Sequence, residues 1–203
     1  MNEPIQAIIF DVGGVLVRTH DQSGRRVWEE RLGLAPGQLE AIVLNSEMGH
    51  RAQRGEISDD ELWAWVSQRF SLGDELDAFR PDFWRGDAVD QGLVALVGRL
   101  NRRYQTAIIS NATDALLTTL EDYQLLVEFD LVVGSAYEGL MKPAPAIFET
   151  TLIRLGRVAA ETVFIDDAPA NIAGAQAVGL QTILFTPALD LAAELAALGV
   201  RTD

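Results

Sequence analysis

Four short segments carry the residues that could do chemistry. Asp11 closes the apolar run Ile8-Ile9-Phe10 and is followed by Gly13-Gly14. Ser110-Asn111 closes a second apolar run that begins at Gln105. Lys142-Pro143 stands just before a helical pattern, and Asp166-Asp167 closes Val163-Phe164-Ile165. Taken alone, Asp11 reads equally well as a carboxylate capping a turn, because strand-Asp-Gly-Gly is common punctuation. The combination is more specific. In open parallel sheets, ligands bind beyond the carboxyl ends of the strands. If these strands are neighbours, two sets of carboxylates, a hydroxyl and a lysine converge on one edge. Pro143 biases Lys142 toward an extended conformation, which helps to aim it.

Such a set has restricted chemistry. Carboxylates gathered at one point repel unless a cation joins them. Hard oxygen ligands that leave room for water and substrate suit Mg²⁺. Asp11 can then attack phosphorus to form an aspartyl-phosphate, with metal charge on the phosphoryl oxygens. Ser110 and Lys142 would hold the remaining oxygens.

These residues need strands to carry them, and the chain supplies strands. After Leu16 the strand pattern stops for a long way. Helical spacing covers Ser23–Leu32, Pro36–Met48, a segment capped by Ser58 with Glu61 completing a capping box, and Asp74–Trp84. All four tryptophans (Trp28, Trp63, Trp65 and Trp84) fall in this block. They read as core of a small helical bundle, or in part as lining of a substrate pocket. From Asp90 onward helices and strands alternate. A helix starting at Thr113 or Asp114 follows the second strand, and Leu131–Val133, Val163–Ile165 and Gln181–Phe185 are the later strands. The pattern predicts an α/β fold: a doubly wound parallel-sheet, Rossmann-like core with an inserted helical domain. The core would comprise residues 1–17 and 87–203, and the insertion 18–86.

Composition narrows the partners. The 203 residues include no cysteine, so disulfides and thiolate chemistry are absent. A formal net charge of −14 argues against nucleic acid, whose phosphates need basic stripes. No apolar run is long enough to span a membrane. Met1-Asn2-Glu3-Pro4 lacks the basic start of a signal peptide, so a cytoplasmic location is expected. The expected partner is a small phosphorylated metabolite, and the expected state a monomer or weak homodimer.

The four motifs resemble those of the haloacid dehalogenase superfamily. They stand as Phe10-Asp11-Val12-Gly13-Gly14-Val15, Ile109-Ser110-Asn111, Lys142-Pro143 and Phe164-Ile165-Asp166-Asp167, in the family's order. Residues 18–86 lie where that family places its type-one helical cap. Arg54-Gly55-Glu56-Ile57-Ser58-Asp59 and Gly139-Leu140-Met141-Lys142-Pro143 look like the branch that includes bacterial alpha-glucose-1-phosphate phosphatase. The resemblance implies a Mg²⁺-dependent phosphomonoesterase acting on a sugar phosphate. It implies that Asp11 is nucleophile and metal ligand, and that Ser110, Asn111 and Lys142 bind the phosphoryl group. Asp166 would be the direct metal ligand and Asp167 its outer partner; Asn171, one turn into the following helix, reads equally as orienting the pair or as a plain helix-surface residue. The chain departs from the pattern at Gly13. Most phosphatases of the superfamily carry there an Asp that protonates the leaving group; Gly13 offers only its carbonyl to the metal. General acid help is worth about 10²–10⁴-fold, so His20, Asp21 or His50 would have to replace it, or the leaving group must need little help. Two other readings stay open: a metal-independent 2-haloacid dehalogenase, and a degenerate member that binds a ligand or a protein without turnover.

Overall fold

The computed structural model describes residues 4–203; Met1 to Glu3, part of the N-terminal stretch read above, lie outside them. Its centre is a five-stranded parallel sheet in the order β5-β4-β1-β6-β7. The strands are β1 (Ala7–Phe10), β4 (Gln105–Ser110), β5 (Leu131–Gly134), β6 (Thr162–Asp166) and β7 (Gln181–Leu184). Near-continuous apolar composition is what a strand covered on both faces requires. The period of two sorts its side chains between the faces. Ile8, Phe10, Ile108, Val163 and Ile165 enter one core with helices α6 (Gln91–Leu100), α7 (Leu116–Asp122) and α11 (Leu191–Ala197). Ala7, Ile9, Ala107, Ile109 and Phe164 enter the other, with α9 (Pro145–Leu155) and α10 (Pro169–Val178). The doubly wound parallel core is therefore as expected. A single turn, α8 (Ser135–Glu138), follows β5 directly.

Between β1 and α6 the chain forms α1 (Ser23–Leu32), α2 (Gln38–Leu44), α3 (Glu47–Gln53), α4 (Asp59–Phe70) and α5 (Leu76–Trp84). These helices share a cluster of their own, built on Trp28, Leu39, Leu62, Trp63, Phe79 and Phe83. Trp28 and Trp63 meet Phe79 edge-on at 5.0 and 6.2 Å, a favoured aromatic geometry. The bundle-core reading of these two tryptophans holds, while Trp84 is 39% exposed.

Three local expectations need correction. The single helix over Pro36–Met48 is two, because the Ser46 side chain accepts from Gly49 N at 3.1 Å and starts a new helix. Strand structure does not cease after Leu16: β2 (Val17–Thr19) and β3 (Asp87–Val89) pair antiparallel. They form a ribbon joining entry and exit of the helical insertion. Each is three residues long, too short for alternation to register, and the partner lies at the far end of the insertion. Finally, α7 starts at Leu116 rather than Thr113 or Asp114, because those two side chains are engaged elsewhere, as described below.

Candidate active site

Parallel register brings the acids together. Phe10 lies opposite both Ile108 and Ile165. The ladder runs one step further, with Asp11 N donating to Ile165 O at 2.9 Å. Asp11 and Asp166 are thus level on adjacent strands, a spacing of about 4.8 Å between strand axes. Ser110 ends β4 on the other side of β1. The conditional expectation that the strands are neighbours is met.

Lys142 joins the set from the loop before α9. Its Nζ lies 2.8 Å from Asp11 Oδ2 and 2.7 Å from Asp166 Oδ2, with the Phe164 ring 5.6 Å beneath. Its main chain is fixed by Asn111: Lys142 N donates to Asn111 Oδ1 at 2.8 Å, and Asn111 Nδ2 donates to Lys142 O at 2.9 Å. The Lys142-Pro143 peptide is cis. Asn111 therefore spends its side chain on holding the lysine. Asp166 is fully buried and well supplied with donors. Asn171 Nδ2 donates to both its oxygens, at 3.1 and 3.0 Å, and Ala168 N to Oδ1 at 2.8 Å. Asp167 is more exposed and lies against Gly14. Gly14 has φ of +77°, and a Cβ there would stand 2.1 Å from Asp167 Oδ2. Gly13 is open: an added Cβ would meet no atom within 4 Å.

One ammonium faces three carboxylates. Burial pushes the Asp11 carboxyl up to about 7, and Asp166 adds to this while Lys142 opposes it. Partial burial and then Asp166 also raise Asp167. Oxygens of Asp11, Asp166 and Asp167 all lie within 4.8 Å of one another. A hard divalent cation fits this donor set and would relieve the repulsion that the lysine leaves.

The candidate proton donors sit apart from this centre in role. Asp21 uses both oxygens on Ser23, accepting from N at 2.8 Å and Oγ at 2.7 Å, and those bonds lower its carboxyl. That makes it a poorer acid. His20 donates its main-chain N–H to Gly86 O, 2.8 Å away beside the β2–β3 ribbon; His50 is half-buried in α3. Ser135 escaped the sequence reading. Its hydroxyl accepts from Ala112 N at 3.0 Å and donates to Ala112 O at 3.1 Å, bracing the loop after Ser110. Its place after β5, another strand end on the same edge, was the available signal.

A family model for haloacid dehalogenase-like hydrolases matches residues 5–179. The chain belongs to that family. This haloacid dehalogenase-like hydrolase is 28% identical over 198 residues to the sesquiterpene phosphatase astK of Aspergillus oryzae, an alignment covering 94% of each chain. It is 46% identical over 83 residues to a ribulose-1,5-bisphosphate 5-phosphatase of Halopiger xanaduensis, which covers 40% of this chain and 35% of that one. It also superposes with a TM-score of 0.76 on a family enzyme of Bacteroides thetaiotaomicron solved with magnesium and inorganic phosphate. There the identity is 20% and the coverage 94% of this chain and 98% of the other, a likeness of fold.

Proposed function

We propose that this hydrolase is a Mg²⁺-dependent phosphomonoesterase acting on a small phosphorylated metabolite through an aspartyl-phosphate. The observation that carries the reading is Asp11, buried at the end of β1 within 2.8 Å of the Lys142 ammonium and level with Asp166. Phosphatase names among the relatives support it.

Val12 N donates to Asp11 Oδ1 at 2.7 Å, which orients the carboxylate. An Asp11 oxygen forms the bond to phosphorus as the ester P–O bond breaks and the alcohol oxygen leaves with the electron pair. Water then attacks the acyl-phosphate, releasing phosphate and restoring the carboxylate. Lys142 and the Ser110 hydroxyl hold phosphoryl oxygens, and Asn111 keeps Lys142 in place. When bound, Mg²⁺ supplies charge neutralisation on the phosphoryl group. The hydrogen bonds favour reversing the roles implied by the family resemblance. Asp166 has its oxygens occupied by Lys142, Asn171 and Ala168, which suits an outer partner. Asp167, beside Gly13-Gly14, suits the direct ligand, together with Asp11 and the Gly13 carbonyl.

Residues 18–86 are read as a cap domain on the β2–β3 ribbon, and the remaining chain as the core domain. A sugar phosphate is the substrate class favoured, since one relative is named for a sugar bisphosphate. The absence of an acid at position 13 points within that class to sugar-1-phosphates, whose hemiacetal leaving groups are more acidic. A metal-independent dehalogenase would leave Asp167 without a use. The test is phosphate release from a panel of sugar phosphates, with Mg²⁺ and with EDTA. Turnover should require Mg²⁺ and fall at least about 10³-fold in Asp11→Asn; chelator-insensitive turnover of a 2-haloacid instead would overturn the reading.

A further inference from the structure

The loop after Ser110 is tied down residue by residue, to three separate parts of the chain. Asn111 exchanges two hydrogen bonds with the Lys142 main chain, and Ala112 two with the Ser135 hydroxyl. The next two residues reach the helical insertion instead. The Thr113 hydroxyl donates to Asp59 Oδ1 at 2.8 Å. Asp114 Oδ1 accepts from Asp59 N at 2.8 Å. Asp59 is the first residue of α4, so this N–H has no partner within its own helix. The other Asp59 oxygen pairs with Arg80 of α5, whose guanidinium lies 5.4 Å from the Trp63 ring. Asp59 is thus buried between a cation of the insertion and a hydroxyl of the sheet domain.

A second contact flanks it. Gly55 has φ of +69°, and a Cβ there would stand 2.1 Å from Ala136 O. Next to Ala136, the Tyr137 hydroxyl donates to Asp114 O at 2.8 Å. The insertion therefore rests on the rim formed by residues 113–137, away from the ribbon that tethers it.

We propose that Asp59 is a positioning residue that latches the cap onto the 110–114 loop, so that cap docking sets the Ser110 hydroxyl and, through Asn111, Lys142. This rests on reading Ser110 and Lys142 as the phosphoryl cradle and goes beyond it by naming what couples that cradle to the cap. The physical reason is the double use of one residue. Carboxylate and main-chain N–H of Asp59 grip consecutive loop residues, which fixes both position and orientation. Opening the cap breaks both bonds together and frees the loop two residues from Asn111.

The test compares Thr113→Val, Thr113→Ser, Asp59→Ala and the Asp59→Ala/Thr113→Val double variant with the parent. Hydrogen exchange on the full chain without substrate is one readout. Turnover of para-nitrophenyl phosphate with Mg²⁺ is the other. Thr113→Val should speed exchange at residues 55–62 and 110–117 while the amides of β1 and β6 stay protected. It should lower kcat/KM about tenfold, the size of a hydrogen bond to a charged group, and Thr113→Ser should restore both readouts. The double variant should be little worse than Asp59→Ala alone, because that substitution already removes the contact that Thr113→Val removes. Unchanged exchange at 110–117 in Thr113→Val would overturn the latch, as would uniform acceleration across the sheet or additive losses in the double variant. If the parent turns over no phosphate ester, the exchange readout still decides the latch, so failure of the phosphatase reading is told apart from failure of this one.

Discussion

Two adjacent glycines differ in what they require. At Gly14 the backbone is left-handed and the Asp167 carboxylate occupies the place of a side chain. Gly14→Ala should cost about 1–2 kcal/mol from the backbone alone and displace Asp167. The expected result is an apparent Mg²⁺ affinity weakened about tenfold or more, read from the Mg²⁺ dependence of turnover; an unchanged affinity would remove Asp167 from the metal set. At Gly13 there is open space, so an acid can be restored there without collision at Cβ. With no carboxyl at this position, the alkoxide must leave unprotonated or rely on another group. We expect log kcat/KM to fall steeply with leaving-group pKa, so that aryl phosphates and sugar-1-phosphates exceed a sugar-6-phosphate. Gly13→Asp should flatten that plot by supplying general acid help of about 10²–10⁴-fold for poor leaving groups. A flat plot for the parent would mean that another acid serves, with His20 and His50 the first to replace, since Asp21 is committed to Ser23.

At the level of elements, α4 matters most for the junction, and its first turn is well capped. Ser58 Oγ accepts from Glu61 N at 3.2 Å, and Glu61 Oε2 accepts from Ser58 N at 2.8 Å. This satisfies donors that the helix start would otherwise leave bare. Ser58→Ala should cost about 1 kcal/mol, and Ser58→Gly only a few tenths, by denaturant titration. Equal losses in the two variants would show that the side-chain hydrogen bond, which both remove, sets the whole cost and that backbone preference at position 58 adds nothing. The same turn presents Asp59 to Thr113, so its order serves the interface as well as the helix.

For the molecule as a whole, the metal-free site is a source of instability with a definite pH window. The Asp11 carboxyl sits at about 7 in the fold against 3.8 when unperturbed. Between those values the folded state holds a proton that the unfolded state has released. Stability from this group therefore falls as pH rises from about 4 to 7, and the loss is complete above about 7. In EDTA, Asp11→Asn should gain in Tm over the parent progressively across that window. Mg²⁺ should raise the parent's Tm most at the neutral end, where the carboxylates are ionised and the cation binds the folded state. A Tm difference that does not vary with pH would show that Asp11 is not the group responsible. No helix among the described residues is long and apolar enough to cross a membrane.

The apolar runs, their closing polar residues and the capping signals determined by themselves that parallel strands alternate with helices and where β1, β4 and β6 end. Those properties are local: burial on both faces shows as unbroken Ile, Val and Phe, and Ser58 with Glu61 marks a helix start within four residues. The convergence of Asp11, Ser110, Lys142 and Asp166 was legible only as a condition, because strand order and register are long-range facts. Tertiary structure decided that β4, β1 and β6 are adjacent and that Asp11 and Asp166 are level. It also decided matters that carried no sequence signal. Thr113 and Asp114 read as helix-starting residues, yet they bind Asp59 across the junction. Val17–Thr19 and Asp87–Val89 have too little pattern to declare themselves, and become strands because the insertion must enter and leave the core at one point. Asp166 and Asp167 are neighbours in the chain with the same chemistry. Only the fold separates them, by burying one among Lys142, Asn171 and Ala168 and leaving the other beside a glycine that makes room for it.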